Sequence, residues 1–147
     1  ESLYQSNTLS EVNFSEYIRN IAGNLFHSYG RPEGGISMQY ELEEVFLNLD
    51  TSIPCGLIIN EVVSNCLKYA FAGKEKGVIR IEFSKLSDGK LKLIIGDDGI
   101  GLPSNFDIEN AETLGLQLVT TLVTQVSGEL DIKTNKGTQF SIVFKEQ

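Results

Sequence analysis

The stretch Leu91-Lys92-Leu93-Ile94-Ile95-Gly96-Asp97-Asp98-Gly99-Ile100-Gly101 decides the fold. Leu91, Leu93 and Ile95 recur at every second position, the pattern of a strand with one buried face. Just upstream, Ile79, Ile81 and Phe83 alternate with Arg80, Glu82 and Ser84, and Asp88-Gly89 marks a turn. The two runs therefore predict an antiparallel hairpin. Asp97 shares the parity of Leu91, Leu93 and Ile95, so its carboxylate is expected on the buried side; Asp98 is expected toward solvent. A carboxylate aimed inward is costly unless a donor meets it. The exocyclic amine of adenine is one such donor, and Gly99 and Gly101 permit close approach just beyond the strand. A glycine-rich turn with solvated aspartates explains the same residues.

Upstream of the hairpin, Phe14, Tyr17, Ile18, Ile21, Ala22, Leu25 and Phe26 form a helical stripe, with Asn13 as N-cap and Glu16 three residues on. Gly30, Pro32, Gly34 and Gly35 break the chain. Short strands are expected over residues 36–42 and 45–49. Asp50-Thr51-Ser52 with Pro54 behind them signals a second helix, reaching Phe71 or Ala72 and stopping at Gly73. Downstream, residues 103–112 read as a loop and 114–126 as a helix ending at Gly128. Leu130 and Ile132 suggest a strand, and Asn135-Lys136-Gly137 turns the chain into a last strand carrying Phe140, Ile142 and Phe144. Helices with antiparallel hairpins imply a two-layer α/β sandwich, its mixed, mostly antiparallel sheet covered on one face by helices.

The 147 residues suit one core. Residues 14–147 read as one domain, preceded by the short segment 1–13. Twelve basic residues against twenty acidic ones leave a net charge of -8. Without a Lys/Arg cluster, that excess argues against nucleic acid or direct membrane contact. An anionic ligand would need a local site. No apolar run is long enough to span a bilayer. The cysteines, Cys55 and Cys66, form neither a disulfide framework nor a metal site. Cys66, inside the second helix, reads most simply as a small core residue, and the whole suits a reducing cytoplasm.

The second helix carries polar residues beside its core stripe. At about 100° per residue, Glu61, Asn65 and Lys68 fall within roughly 60° of one another. An asparagine oxygen can ligate Mg²⁺ and a lysine can meet phosphate; a solvated flank with a Glu61–Asn65 contact explains them equally. Gly115 opens the next helix in Leu114-Gly115-Leu116, and helix N-termini attract phosphate. Gly137-Thr138 begins the last strand.

The order of these pieces resembles the ATPase fold shared by DNA gyrase B, Hsp90, MutL and the histidine kinases, the Bergerat ATP-binding fold. Asn60 to Phe71 looks like the N box of histidine kinases, and Gly96 to Pro103 like the G1 box. Leu114-Gly115-Leu116 looks like the G2 box, and Gly137-Thr138 like the last glycine box. Leu3 to Ser6, Val12 to Phe14 and Tyr17-Ile18 look like the junction after the dimerisation helices of one histidine-kinase subfamily. The chain departs from the pattern in keeping only Gly115 of a motif often richer in glycine and in lacking a clear phenylalanine box, for which Phe106 is no more than a candidate.

The resemblance implies ATP and Mg²⁺ as cofactors and assigns roles by position. Asn65 would ligate Mg²⁺, Lys68 contact a phosphate and Tyr69 pack near adenine. Asp97 would accept from the adenine amine, Gly99 and Gly101 line its pocket, and Thr138 lie beside it. Gly115 and Leu116 would sit at the phosphate end. Glu61 stands where gyrase-like ATPases keep a general base; in a kinase it could polarise an incoming imidazole, or do little beyond orienting groups. The implied partners are a histidine-bearing dimerisation domain outside this chain and a response regulator. His27, the only histidine, lacks the basic, Asn-containing context of an acceptor and reads as structural. The rivals are a same-fold ATPase or serine kinase, a nucleotide-sensing module, and a structural domain without ligand.

Overall fold

The computed structural model describes residues 11–31, 34–100, 114–134 and 136–147. The element order is β1 (Glu11–Asn13), α1 (Phe14–Tyr29), β2 (Ile36–Leu42), β3 (Phe46–Asn48), α2 (Leu49–Asn65), a π-helical turn (Cys66–Ala70), β4 (Gly77–Lys85), β5 (Leu91–Asp97), α3 (Leu114–Gln125), β6 (Glu129–Lys133) and β7 (Thr138–Phe144).

Five strands form one sheet in the order β2-β4-β5-β7-β6. Only β2 and β4 run parallel; the β4–β5, β5–β7 and β6–β7 pairs are antiparallel. The expected hairpin closes at Asp88-Gly89, where Gly89 takes φ 89° and donates to the Leu86 carbonyl. The alternation in β4, β5 and β7 sends Ile79, Ile81, Phe83, Leu91, Leu93, Ile95, Phe140, Ile142 and Phe144 to one buried face. Helix residues Phe14, Ile18, Ala22, Ile58, Ile59, Val62, Val119 and Val123 complete the core from the other layer. The sandwich inferred from the hydrophobic pattern is the observed one.

Two features depart from the sequence reading. Helix α2 begins at Leu49, ahead of the Asp50–Ser52 signal, because Asn48 is its cap: Asn48 Oδ1 accepts from the Thr51 N–H at 2.9 Å. Pro54 consequently lies inside the helix. The short strand β1 was not expected, and it pairs antiparallel with β3. At α1 the expected Asn13 cap is present, its Oδ1 accepting from the Glu16 N–H at 3.3 Å. The Glu16 carboxylate accepts from the Asn13 side-chain amide instead of from its backbone.

Candidate functional site

The C-terminal end of α2 meets the end of β5, and most of the sequence-derived candidates gather at this junction. The helix does not continue regularly to Ala72. From Cys66 to Ala70 it widens into a π-turn, a distortion frequently found where helices carry function. The Cys66 N–H is shared between the Val62 and Val63 carbonyls at the point of widening. A turn one residue wider re-aims everything after Asn65, so Lys68 departs from the bearing that a uniform 100° step gives. Its ammonium stands 4.7 Å from the centroid of the Tyr29 ring, at the end of α1.

Asp97 is turned inward, as its parity predicts. Its Oδ2 accepts from the Cys66 thiol at 3.3 Å and its Oδ1 from the Gly99 N–H at 2.8 Å. The cost of the half-buried carboxylate is therefore partly met within the protein, by donors other than a base amine. Each carboxylate oxygen accepts more than one bond, so capacity for a further donor remains. Asp98 is exposed, but its Oδ1 also accepts from the Val78 N–H at 2.8 Å, which ties the end of β5 to β4.

Gly99 is needed for a reason other than backbone freedom. A Cβ there would stand 2.1 Å from the Ala70 carbonyl oxygen, so the strand end rests directly on the π-turn. The Ile100 N–H donates to that same carbonyl at 2.8 Å. Gly137 makes a comparable approach on the other flank, with φ +109° and a would-be Cβ 2.0 Å from the Asp97 carbonyl oxygen. That contact seats Thr138 directly opposite Asp97 in the β5–β7 ladder, and Thr138 is buried.

At the other side of the junction, the Glu61 carboxylate reaches the start of α3: a Cβ on Gly115 would lie 2.0 Å from Glu61 Oε2. A carboxylate at a helix N-terminus is favoured by the dipole and free N–H groups. Asn65, half-buried at the head of the π-turn, makes no capping bond to it. Tyr69 is 65% exposed and Leu116 is partly buried against the core. Gly101, Phe106 and the loop at 103–112 lie outside the described residues.

Sequence reasoning missed two participants. Cys66 was read as plain core, and its partner Asp97 lies 31 positions away, so no local pattern reports the contact. Tyr29 ended a helix with no visible link to Lys68. Arg31 adds to this link by donating to the Phe71 and Lys74 carbonyls, while Lys74 Nζ donates to the Asp98 carbonyl at 2.8 Å. A concavity of about 320 Å³ is lined by Gln39, Arg80, Asp97, Asp98, Lys136 and Thr138. The hydrogen bonds of the Asp97 carboxylate run to Cys66 of the helical layer and to Gly99.

Comparison with known proteins bears on the fold and the family. Residues 50–147 match the family of histidine kinase-, DNA gyrase B- and HSP90-like ATPases. The chain is 33% identical over 122 residues to blue-light-activated histidine kinase 2 of Erythrobacter litoralis, covering 83% of this chain and 34% of that protein. It is 40% identical over 86 residues to the sensor histidine kinase PdtaS of Mycolicibacterium smegmatis, covering 58% of this chain and 16% of that protein. It thus spans about a third or less of these curated relatives. In three dimensions it is similar to the histidine kinase domain of the Erythrobacter litoralis EL346 blue-light-activated kinase, with a TM-score of 0.86 and 29% identity over 92% of this chain and 62% of that one. The chain belongs to the histidine kinase-, DNA gyrase B- and HSP90-like ATPase family.

Proposed function

We propose that this domain binds Mg-ATP and donates the γ-phosphoryl group to a histidine on a dimerisation domain outside this chain, within two-component signalling. The observation that carries the reading is Asp97: a carboxylate turned into the helical layer at a strand end, with capacity left for a purine amine and Thr138 beside it. The names of the similar proteins, all sensor or light-activated histidine kinases, support the acceptor and the pathway.

Mg²⁺ keeps several waters and takes phosphate oxygens, so it needs few protein ligands. Asn65, with its amide free of any capping bond, and the nearby turn carrying Glu61 suit that demand. No group of three or more His, Cys, Asp or Glu residues that could hold a metal occurs among the described residues, so a cage built wholly of protein ligands is not the expected form. When bound, the ion would supply neutralisation of triphosphate charge, and Asn65 would hold it. Lys68 would meet phosphate oxygens as a point charge. Glu61 would polarise the attacking imidazole, and Gly115 would let the start of α3 approach the phosphates. Transfer of this kind rests on positioning and charge stabilisation rather than on covalent work by the protein.

The test is calorimetry with a non-hydrolysable ATP analogue, with and without Mg²⁺. Asp97→Asn is expected to weaken binding at least tenfold, because it replaces a charged acceptor by an amide. With a separately supplied dimerisation domain, wild type should label histidine and Asn65→Ala should not. Phosphate released to water, or serine labelled instead, would favour the same-fold ATPase or serine kinase. Unchanged binding by Asp97→Asn overturns the role given to Asp97, and no binding by wild type overturns the nucleotide reading.

A further inference from the structure

We propose that Cys66 is a positioning residue for base selection: its thiol holds Oδ2 of Asp97 so that the carboxylate faces the amine of an adenine ring. The inference rests on the nucleotide reading above and deepens it.

Cys66 is 6% exposed and is the first residue of the π-turn. Its Sγ lies 3.3 Å from Asp97 Oδ2, while Oδ1 of the same carboxylate is held from the strand side by the Gly99 N–H at 2.8 Å. The two oxygens are thus anchored from two different elements, which fixes both the rotamer and the plane of the carboxyl group. Removing either anchor frees that plane to rotate. Burial above all, then the Asp97 charge and the hydrogen bond to it, pushes the Cys66 thiol well above its ordinary ionisation range. The thiol is placed as the donor of this contact.

A fixed, charged acceptor discriminates between purines. Adenine brings an amine to this position, and guanine brings a carbonyl oxygen, which a carboxylate repels. If the plane loosens, adenine loses a preorganised partner and guanine loses little, because it had none.

The experiment compares Cys66→Ala, Cys66→Val and Cys66→Ser with wild type for ATP-analogue and GTP-analogue binding, with melting curves as the folding control. A net hydrogen bond of ordinary strength corresponds to a roughly three- to tenfold change. Cys66→Ala and Cys66→Val should weaken the ATP analogue by that factor and leave the GTP analogue nearly unchanged. Cys66→Ser, which restores a donor on a shorter side chain, should recover part of the loss. If Cys66→Val restores affinity and Cys66→Ser does not, the residue only fills space and the proposal is wrong. The infrared S–H band supplies a readout independent of nucleotide. In Asp97→Asn the Cys66 band should move to higher frequency, since an amide oxygen accepts more weakly, while the Cys55 band stays in place. No shift overturns the proposal even where nucleotide binds. If the shift is seen but the wild-type protein binds no nucleotide, the thiol–carboxylate contact stands, and its assignment to base selection is overturned together with the nucleotide reading.

Discussion

The two ends of α2 are built on opposite plans. At the N-terminal end the chain closes several polar groups on itself. Asn48 caps the helix, its own N–H donates to the Glu146 carboxylate at 2.9 Å, and the Gln147 N–H donates to Thr51 Oγ1 at 2.7 Å. Gln147 also reaches across to the Val126 carbonyl at the end of α3. At the C-terminal end the helix widens, Asn65 caps nothing, and Tyr69 stands 65% exposed. The contacts made there converge on one carboxylate and one lysine instead of sealing the helix. One end spends its polar groups on its own closure, and the other leaves them for the ligand that the proposed function requires, which is the expected division when a rigid scaffold carries a site.

Two substitutions sharpen that contrast from its two sides. Gly99→Ala should have the largest effect. Its Cβ would meet the Ala70 carbonyl at 2.1 Å, backbone against backbone, so the strand end and the π-turn must separate. Overpacking of this kind costs about 1–3 kcal/mol of stability. Because the displaced elements carry Asp97 and Lys68, nucleotide binding should fall more than tenfold in the protein that remains folded. Urea titration and calorimetry together check this, and normal affinity in a folded Gly99→Ala would mean that the junction does not shape the site. Asn48→Ala acts on the other end. Loss of the cap should cost about 1 kcal/mol in urea denaturation, with nucleotide affinity of the folded protein unchanged. A drop in affinity would show that the two ends are not independent.

The same contrast marks what the sequence could disclose. The sheet was legible because alternation is a property of neighbours: Ile79, Ile81 and Phe83, like Leu91, Leu93 and Ile95, occupy the face that their spacing assigns. Parity alone also turned Asp97 inward. The start of α2 was read late because Asp50, Thr51 and Ser52 are all capping residue types, and the deciding bond, Thr51 N–H to Asn48, is visible only in three dimensions. The π-turn left no trace, since Cys66 to Ala70 is an acceptable helical sequence and the contacts that the turn makes, with Gly99 and Asp97, are tertiary. The bearing of Lys68 failed with it, because the angular argument assumes a uniform step. The thiol's role and the ring under Lys68 join residues 31 and 39 positions apart, read from Cys66–Asp97 and Tyr29–Lys68, beyond the reach of any local pattern.

Tyr29→Leu tests the smallest effect and the most informative one about how α1 reaches the site. The Lys68 ammonium rests 4.7 Å from the ring centroid, and Tyr29 is 47% exposed. An exposed cation–π contact is worth about 0.5–1 kcal/mol. Lys68 is itself exposed, so on the proposed function the contact would order the lysine before phosphate arrives. Its loss should weaken ATP-analogue binding about two- to fivefold. Adenosine, which has no phosphate for Lys68 to meet, should bind all variants alike, and Tyr29→Phe, which keeps the aromatic face, should match wild type. Tighter ATP binding in Tyr29→Leu would give the contact the opposite meaning: the ring would be holding Lys68 away from phosphate, and α1, tied to the same turn through Arg31, would act as a brake on the site instead of a support.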